Sequence, residues 1–140
     1  MPDKLKYRQG IKNKDYNMKE IILVGSGGCM RELAWQIEEQ KQEETNPENR
    51  WDIIGYVDKV APKDCVGVMV GNKSIPYLGD DDYLLQKAEY TNVVICVGEP
   101  LLRKKIATKL KENPWLVFPN LVLGNTNVCE DVKMGEGCII

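Results

Sequence analysis

Histidine is absent from this 140-residue sequence, and phenylalanine occurs once. Because histidine is the commonest general base and metal ligand, any chemistry of this chain must use Cys, Asp, Glu, Lys or Tyr. No apolar run approaches the roughly 20 residues that a membrane-spanning helix needs. Residues 1–20 also contain no apolar segment typical of a secretory signal. We therefore expect no membrane partner and no resident metal.

A dominant charge of either sign is also missing. The 19 basic and 21 acidic residues give a net charge of -2, so there is no electrostatic basis for binding nucleic acid. The five cysteines include no C-x-x-C pair, which favours reduced thiols and a cytoplasmic location. Hydrophobic residues make up 43% of the chain, enough for one globular domain with a core.

The chain is organised around the stretch from Ile21 to Leu33. Four aliphatic residues predict a buried strand over Glu20–Val24, and apolar spacing predicts a helix over Gly28–Gln42. The glycines between them (Gly25, Gly27, Gly28) would leave free backbone N–H groups at the helix start, where an anion binds well. The sequence therefore predicts a phosphate site, although a tight turn without a ligand remains the alternative.

The remaining periodicity predicts an α/β fold with a mostly parallel, Rossmann-like sheet and flanking helices. Residues 59–72 are predicted to be irregular, and Asp80–Asp82 to cap a helix through Ala88 rather than to bind a metal. In such sheets, ligands bind beyond the carboxyl ends of the strands, which would gather Gly25–Cys29, Asp58 and Gly98. The other predicted elements are strands Trp51–Val57, Ser74–Gly79, Asn92–Val97 and Trp115–Phe118 and a helix from Glu99–Pro100 through Leu110.

The last twenty residues change period. Val122, Val128, Met134 and Ile140 recur every six residues, the spacing typical of the stacked coils of a β-helix. A single coil cannot bury its apolar face, so we expect the chain to be the first part of a longer protein. The expected organisation is a polar extension (1–18), a Rossmann-like domain (19–120) and the start of a hexapeptide-repeat β-helix (121–140).

Four motifs in order resemble the N-terminal part of bacterial sugar O-acyltransferases of the sialic-acid O-acetyltransferase type and of nucleotide-amino-sugar N-acetyltransferases. Those proteins join a Rossmann-like domain to a left-handed β-helix. The matching residues are Gly25, Gly27, Gly28, Arg31, Glu32 and Leu33 in the first motif, Gly55–Asp58 in the second, Gly98 and Arg103 in the third, and Pro119, Val128, Met134 and Gly135 at the turn into the hexads.

The resemblance implies a domain that binds a UDP-sugar, within an acetyl-CoA-dependent acyltransferase. The implied substrate-binding residues are Gly25, Ser26, Gly27, Gly28, Cys29, Asp58, Gly98 and Arg103. The family's catalytic histidine and acyl-donor site belong to the β-helix. We therefore expect this chain alone to have no catalytic residue and no activity, and to be a monomer or weak dimer, whereas the full-length parent would be a homotrimer.

The sequence departs from the family pattern at three positions. Cys29 replaces a common histidine, Met30 is expected to narrow the loop, and Lys59 replaces a second acidic residue after Asp58. Arg103 would pair either with a bound anion or with a surface carboxylate. Two other functions remain open: an NAD-binding domain of an oxidoreductase or regulator, and a ligand-free scaffold. Met30 stands where the dinucleotide motif has its third glycine, which counts against NAD.

Overall fold

The computed structural model of the protein describes residues 19–43, 50–63 and 66–121. The expected N-terminal extension and hexad tail lie outside this part of the chain, except for Leu121. None of the helices within it is long and apolar enough to cross a membrane. The elements are β1 (Lys19–Val24), α1 (Gly28–Glu43), β2 (Trp51–Val57), β3 (Gly67–Val70), β4 (Lys73–Gly79), α2 (Asp81–Leu85), β5 (Thr91–Ile95), α3 (Pro100–Leu110) and β6 (Leu116–Val117).

The six strands form one sheet in the order β3-β4-β2-β1-β5-β6. All neighbours pair in parallel except β3 and β4, which form an antiparallel hairpin at one edge. The predicted Rossmann-like, mostly parallel sheet is therefore confirmed. The chain builds outwards from β1 through β2 and β4, and then returns to β5 on the other side of β1. This reversal creates a switch point at the carboxyl end of β1.

Helices cover both faces of the sheet. Successive side chains of β1 point to opposite faces and therefore belong to two different cores. Ile21 and Leu23 belong to the core under α1, together with Met30 and Ile37. Ile22 and Val24 face the other core, which contains the buried Leu84 of α2 and Leu110 of α3. Burying β1 on both faces explains why its sequence is a continuous aliphatic run.

The structure corrects part of the predicted irregular segment 59–72, which contains strand β3. Two residues, Gly71 and Asn72, connect β3 to β4, and Gly71 has φ +58°. Such a two-residue turn requires positive φ, which glycine adopts without a Cβ penalty. Val70 is buried and Met69 is exposed in this edge strand, but both are apolar, so the sequence shows no alternation that would have predicted it.

The other boundaries differ by a few residues. Asp80 caps α2 as predicted, with its carboxylate accepting from the Asp82 N–H, but the helix ends at Leu85 rather than Ala88. Strand β5 ends at Ile95 rather than Val97. The predicted start of α3 is confirmed, because Glu99 accepts hydrogen bonds from the first N–H groups of the helix and Pro100 opens it.

A buried amide at the end of α3 fixes the short helix α2. The Nδ2 of Asn113 donates to the carbonyl oxygens of Leu84 at 2.9 Å and of Lys87 at 3.0 Å. Its Oδ1 accepts from the N–H of Trp115 at 3.0 Å. The Leu84 carbonyl also accepts from the Lys87 N–H at 3.1 Å, so Asn113 adds to the hydrogen bonds at the end of α2 and ties this end to the turn after α3.

We expect Asn113→Ala to lower the free energy of unfolding by about 2–4 kcal/mol, because it removes the hydrogen bonds that the buried Asn113 amide makes to Leu84, Lys87 and Trp115. Chemical denaturation monitored by circular dichroism would measure this change. Lys104→Ala, on the exposed face of α3, is the control and should change the stability little. Equal stability of the two variants would contradict the role assigned to Asn113.

Candidate functional site

The carboxyl end of β1 is held by hydrogen bonds to the strands on both sides. The Gly25 N–H donates to the Val57 carbonyl at 2.8 Å, and the Cys96 N–H donates to the Val24 carbonyl at 2.8 Å. Gly25 has φ +112°, and a Cβ at this position would lie 2.8 Å from the Cys96 carbonyl oxygen. Only glycine fits this close approach without strain.

The next four residues, Ser26–Cys29, comprise the end of the loop and the first two residues of α1. Within the described residues, their N–H groups make no hydrogen bond, and the first turn of α1 contains no acidic side chain. A Cβ placed on Gly27 or Gly28 would have no atom within 4 Å. The predicted loop with free N–H groups and open space is therefore present, and the positive end of the helix dipole favours an anion there.

Asp58, which follows β2, is positioned by three contacts. Its N–H donates to the Gly79 carbonyl at 3.0 Å, and the hydroxyl of Tyr77 donates to its carbonyl oxygen at 3.1 Å. The hydroxyl of Ser26 donates to its carboxylate. The last contact joins the glycine loop to the acidic residue, two features that the sequence placed 32 residues apart.

These elements line one cavity of about 530 Å³ at the switch point. This volume lies within the range of small-molecule sites in proteins, roughly 300–1,000 Å³. Seven of the eight sequence-predicted binding residues lie on it: Gly25, Ser26, Gly27, Gly28, Cys29, Asp58 and Gly98.

The eighth predicted residue, Arg103, is placed elsewhere. Its Nη1 donates to the Ile95 carbonyl at 3.1 Å, and the side chain lines a smaller neighbouring hollow with Lys111 and Phe118. In the described part of the chain, Arg103 makes no ion pair with a surface carboxylate and does not line the main cavity. Met30 is also placed differently from expectation, because it is fully buried in the core under α1 and does not line the cavity. The expected narrowing of the loop is therefore wrong.

The cavity wall includes residues that the sequence interpretation did not select. Leu102 and Ile106 of α3, together with Val97, form an apolar wall, while Lys59 lies near Asp58 and Asp81 comes from α2. The spacing of Leu102 and Ile106 had indicated only a buried helix face. Asp81 was assigned, with its neighbours, to helix capping. Within the described residues, no group of three or more Cys, Asp or Glu side chains is arranged to hold a metal ion.

Two thiols with different surroundings line the cavity. Cys29 is exposed in the first turn of α1, whereas Cys96 is buried after β5. Burial raises the pKa of the Cys96 thiol to about 12, and the proximity of Cys29 adds to the shift. Cys96 therefore remains a neutral thiol at physiological pH.

The fold and site define a class: a Rossmann-like α/β domain with a glycine loop and an acidic residue at its switch point. The family model described as the PglD N-terminal domain matches residues 20–110. The chain belongs to this family, which confirms the resemblance inferred from the sequence motifs. No curated protein matches the sequence.

Two solved structures share the fold. The acetyltransferase domain of PglB from Neisseria gonorrhoeae, in complex with acetyl coenzyme A, has 17% identity and a TM-score of 0.62, covering 87% of this chain and 52% of that chain. A mutant of perosamine N-acetyltransferase from Caulobacter crescentus, in complex with CoA and GDP-perosamine, has 21% identity and a TM-score of 0.53, covering 86% and 50%. The chain therefore spans about half the length of both proteins.

We expect Gly25→Ala to destabilise the fold by about 1–3 kcal/mol, because alanine is strained at this positive φ and its Cβ would meet a backbone oxygen. Gly27→Ala is the matched control, since its Cβ would enter open space. Thermal unfolding of both variants would test this difference. If the Gly25 variant were as stable as the Gly27 variant, the close approach to the Cys96 carbonyl would not explain the glycine at position 25.

We also expect iodoacetamide at pH 8 to alkylate Cys29 in the folded protein while leaving Cys96 unmodified, because the thiolate is the reactive form. Peptide mapping by mass spectrometry would measure both sites. In denaturant, both cysteines should react, which serves as the control. Similar native-state rates for the two thiols would contradict the assigned burial of Cys96.

Proposed function

We propose that this domain binds a nucleoside-diphosphate sugar, and a UDP-sugar in particular. The observation that carries the proposal is the shared cavity, where the free N–H groups of Ser26–Cys29 lie beside the Asp58 carboxylate. A ligand that fits this combination has an anionic part and a part rich in hydrogen-bond donors. A diphosphate joined to a ribose and a sugar has both.

The phosphate part of the ligand would lie at the glycine loop. Backbone N–H groups and the helix dipole stabilise an anion there without a side chain, and Gly27 and Gly28 leave it space. The ammonium group of Lys59, an exposed residue that lines the same cavity, adds an opposite charge. This residue departs from the acidic residue of the family pattern, and it favours a negatively charged ligand.

The remaining parts of the ligand would lie between Asp58 and the apolar wall of Val97, Leu102 and Ile106. The carboxylate of Asp58 would accept hydrogen bonds from ribose hydroxyls. The Ser26 hydroxyl holds one carboxylate oxygen, which orients the group. Apolar side chains suit the faces of a flat ring, so the cavity offers a different surface to each part of a nucleotide.

We further propose that the full-length parent is an acyltransferase that transfers an acetyl group from acetyl-CoA to a sugar or nucleotide-sugar. Membership of the PglD N-terminal domain family supports this, as do the acetyl coenzyme A of the Neisseria structure and the GDP-perosamine of the Caulobacter one. In this proposal residues 19–120 bind the acceptor substrate, residues 1–18 are an extension, and residues 121–140 begin the β-helix.

We expect UDP and a UDP-sugar to bind more tightly than NAD, with a Kd near the millimolar value that corresponds to about -4 kcal/mol. Isothermal titration calorimetry or NMR titration would measure this. Binding should also protect Cys29, which lines the cavity, from alkylation. Tighter binding of NAD would favour the oxidoreductase alternative, and no binding of any nucleotide would favour the scaffold.

Two variants test the two ends of the proposed site. Gly28→Val should weaken UDP binding at least about tenfold with little loss of stability, because the new side chain occupies open space at the loop. Asp58→Asn should weaken it about tenfold to a hundredfold, as expected for a lost hydrogen bond to a charged group. Glu39→Gln, on the exposed face of α1, is the control for Asp58. Unchanged affinity in both variants would contradict the proposed site.

A further inference from the structure

The carboxylate of Asp81 is buried beside the apolar wall of the cavity. Only 10% of its side chain is exposed, and its Oδ2 accepts from the Nζ of Lys109 at 3.2 Å. Its two acidic neighbours, Asp80 and Asp82, are exposed. Among the three consecutive aspartates, Asp81 is therefore the member whose charge is held inside the fold and next to the cavity.

The position of Asp81 follows from one stripe of α3. Leu102, Ile106 and Lys109 are spaced by four and three residues, so they lie on the same side of the helix. The first two line the cavity, and the third holds Asp81. The carboxylate therefore lies beside the apolar wall formed by Val97, Leu102 and Ile106, close to the space that suits a flat ring.

The two oxygens of this carboxylate differ. Oδ2 is taken by Lys109, whereas Oδ1 makes no hydrogen bond within the part of the chain that is described. Although the Asp81 side chain as a whole is buried, Oδ1 is not among the polar atoms shut off from solvent, so this oxygen is accessible to a ligand that donates a hydrogen bond. Lys109 does not line the cavity and acts through Asp81. The contact raises the pKa of Lys109, which keeps the ammonium charged.

We propose that Asp81 determines which nucleobase the site accepts, and that Lys109 is its positioning residue. Oδ1 accepts a hydrogen bond from the ring N–H of a keto base, such as uracil N3–H or guanine N1–H, while the apolar wall packs against the ring. This inference rests on the proposed nucleotide-binding function and adds the class of base. Cytosine presents a lone pair at the corresponding ring nitrogen and is disfavoured by a carboxylate.

The first test uses the unaltered protein and the ligands UDP, GDP, CDP and pyrophosphate in calorimetric titrations. We expect UDP or GDP to bind about tenfold more tightly than CDP, which is the effect of one well-formed hydrogen bond. Methylating the ring N–H of the tighter keto nucleotide should remove this advantage. Equal affinity for the methylated and unmethylated forms would overturn the inference without affecting the proposed function.

The second test uses Asp81→Asn. Its amide oxygen should stay on the Lys109 ammonium, which turns the NH₂ group toward the base and replaces an acceptor with a donor. The preference should then move from UDP toward CDP, with pyrophosphate binding unchanged. A merely structural role would weaken all four ligands together. Asp82→Asn, which changes the same charge at the exposed neighbouring position, is the control and should keep the original preference.

The ratio of the UDP affinity to the CDP affinity also tests the role of Lys109. Lys109→Met should reduce the preference for UDP over CDP, and Lys109→Arg should restore part of it. If the unaltered protein binds no nucleotide more tightly than it binds pyrophosphate, both the base-recognition inference and the nucleotide proposal are wrong. If UDP binds and Asp81→Asn keeps the same UDP-to-CDP ratio, only the inference about Asp81 is wrong.

Discussion

The carboxyl end of β1 is the constraint on which the site depends. Parallel pairing on both sides holds Val24 and Gly25, because the carbonyl of Val24 and the N–H of Gly25 bond to opposite neighbouring strands. The chain must then leave the sheet beside the Cys96 carbonyl, which leaves no space for a Cβ. The position of the four free N–H groups therefore follows from sheet geometry before any ligand is considered.

The opposite wall of the cavity depends on a different set of contacts. Helix α2 has only five residues, too few to be stable by itself. Asn113 satisfies its last carbonyls, and Lys109 pairs with Asp81 at its start. Both partners come from α3 or the turn after it. The apolar wall and the buried carboxylate are therefore fixed together, so a change at the end of α3 would alter the cavity from a distance.

Much of the fold could be predicted because its signals are local. Apolar runs identified β1, β2 and β5, of which the first and last are followed by glycine. Because the carboxyl ends of parallel strands lie at the same edge of a sheet, Asp58 after β2 was expected near Gly25 after β1. The strand β3 was missed because four residues beside two glycines give a weak pattern. Asp81 was missed for another reason: three identical aspartates look alike in sequence, and only the packing of α3 decides which one is buried.

The glycine motif shows why residue types alone do not separate folding from binding. Glycine is required at position 25 because φ is positive there and a Cβ would contact a backbone oxygen. Gly27 and Gly28 are not among the glycines with positive φ, and a Cβ at either position would enter open space. The first is explained without a ligand, but the other two gain no packing from lacking a side chain. Neither a positive φ nor a close packing contact requires glycine at these two positions, and close approach of the proposed ligand to the backbone would give them a physical reason.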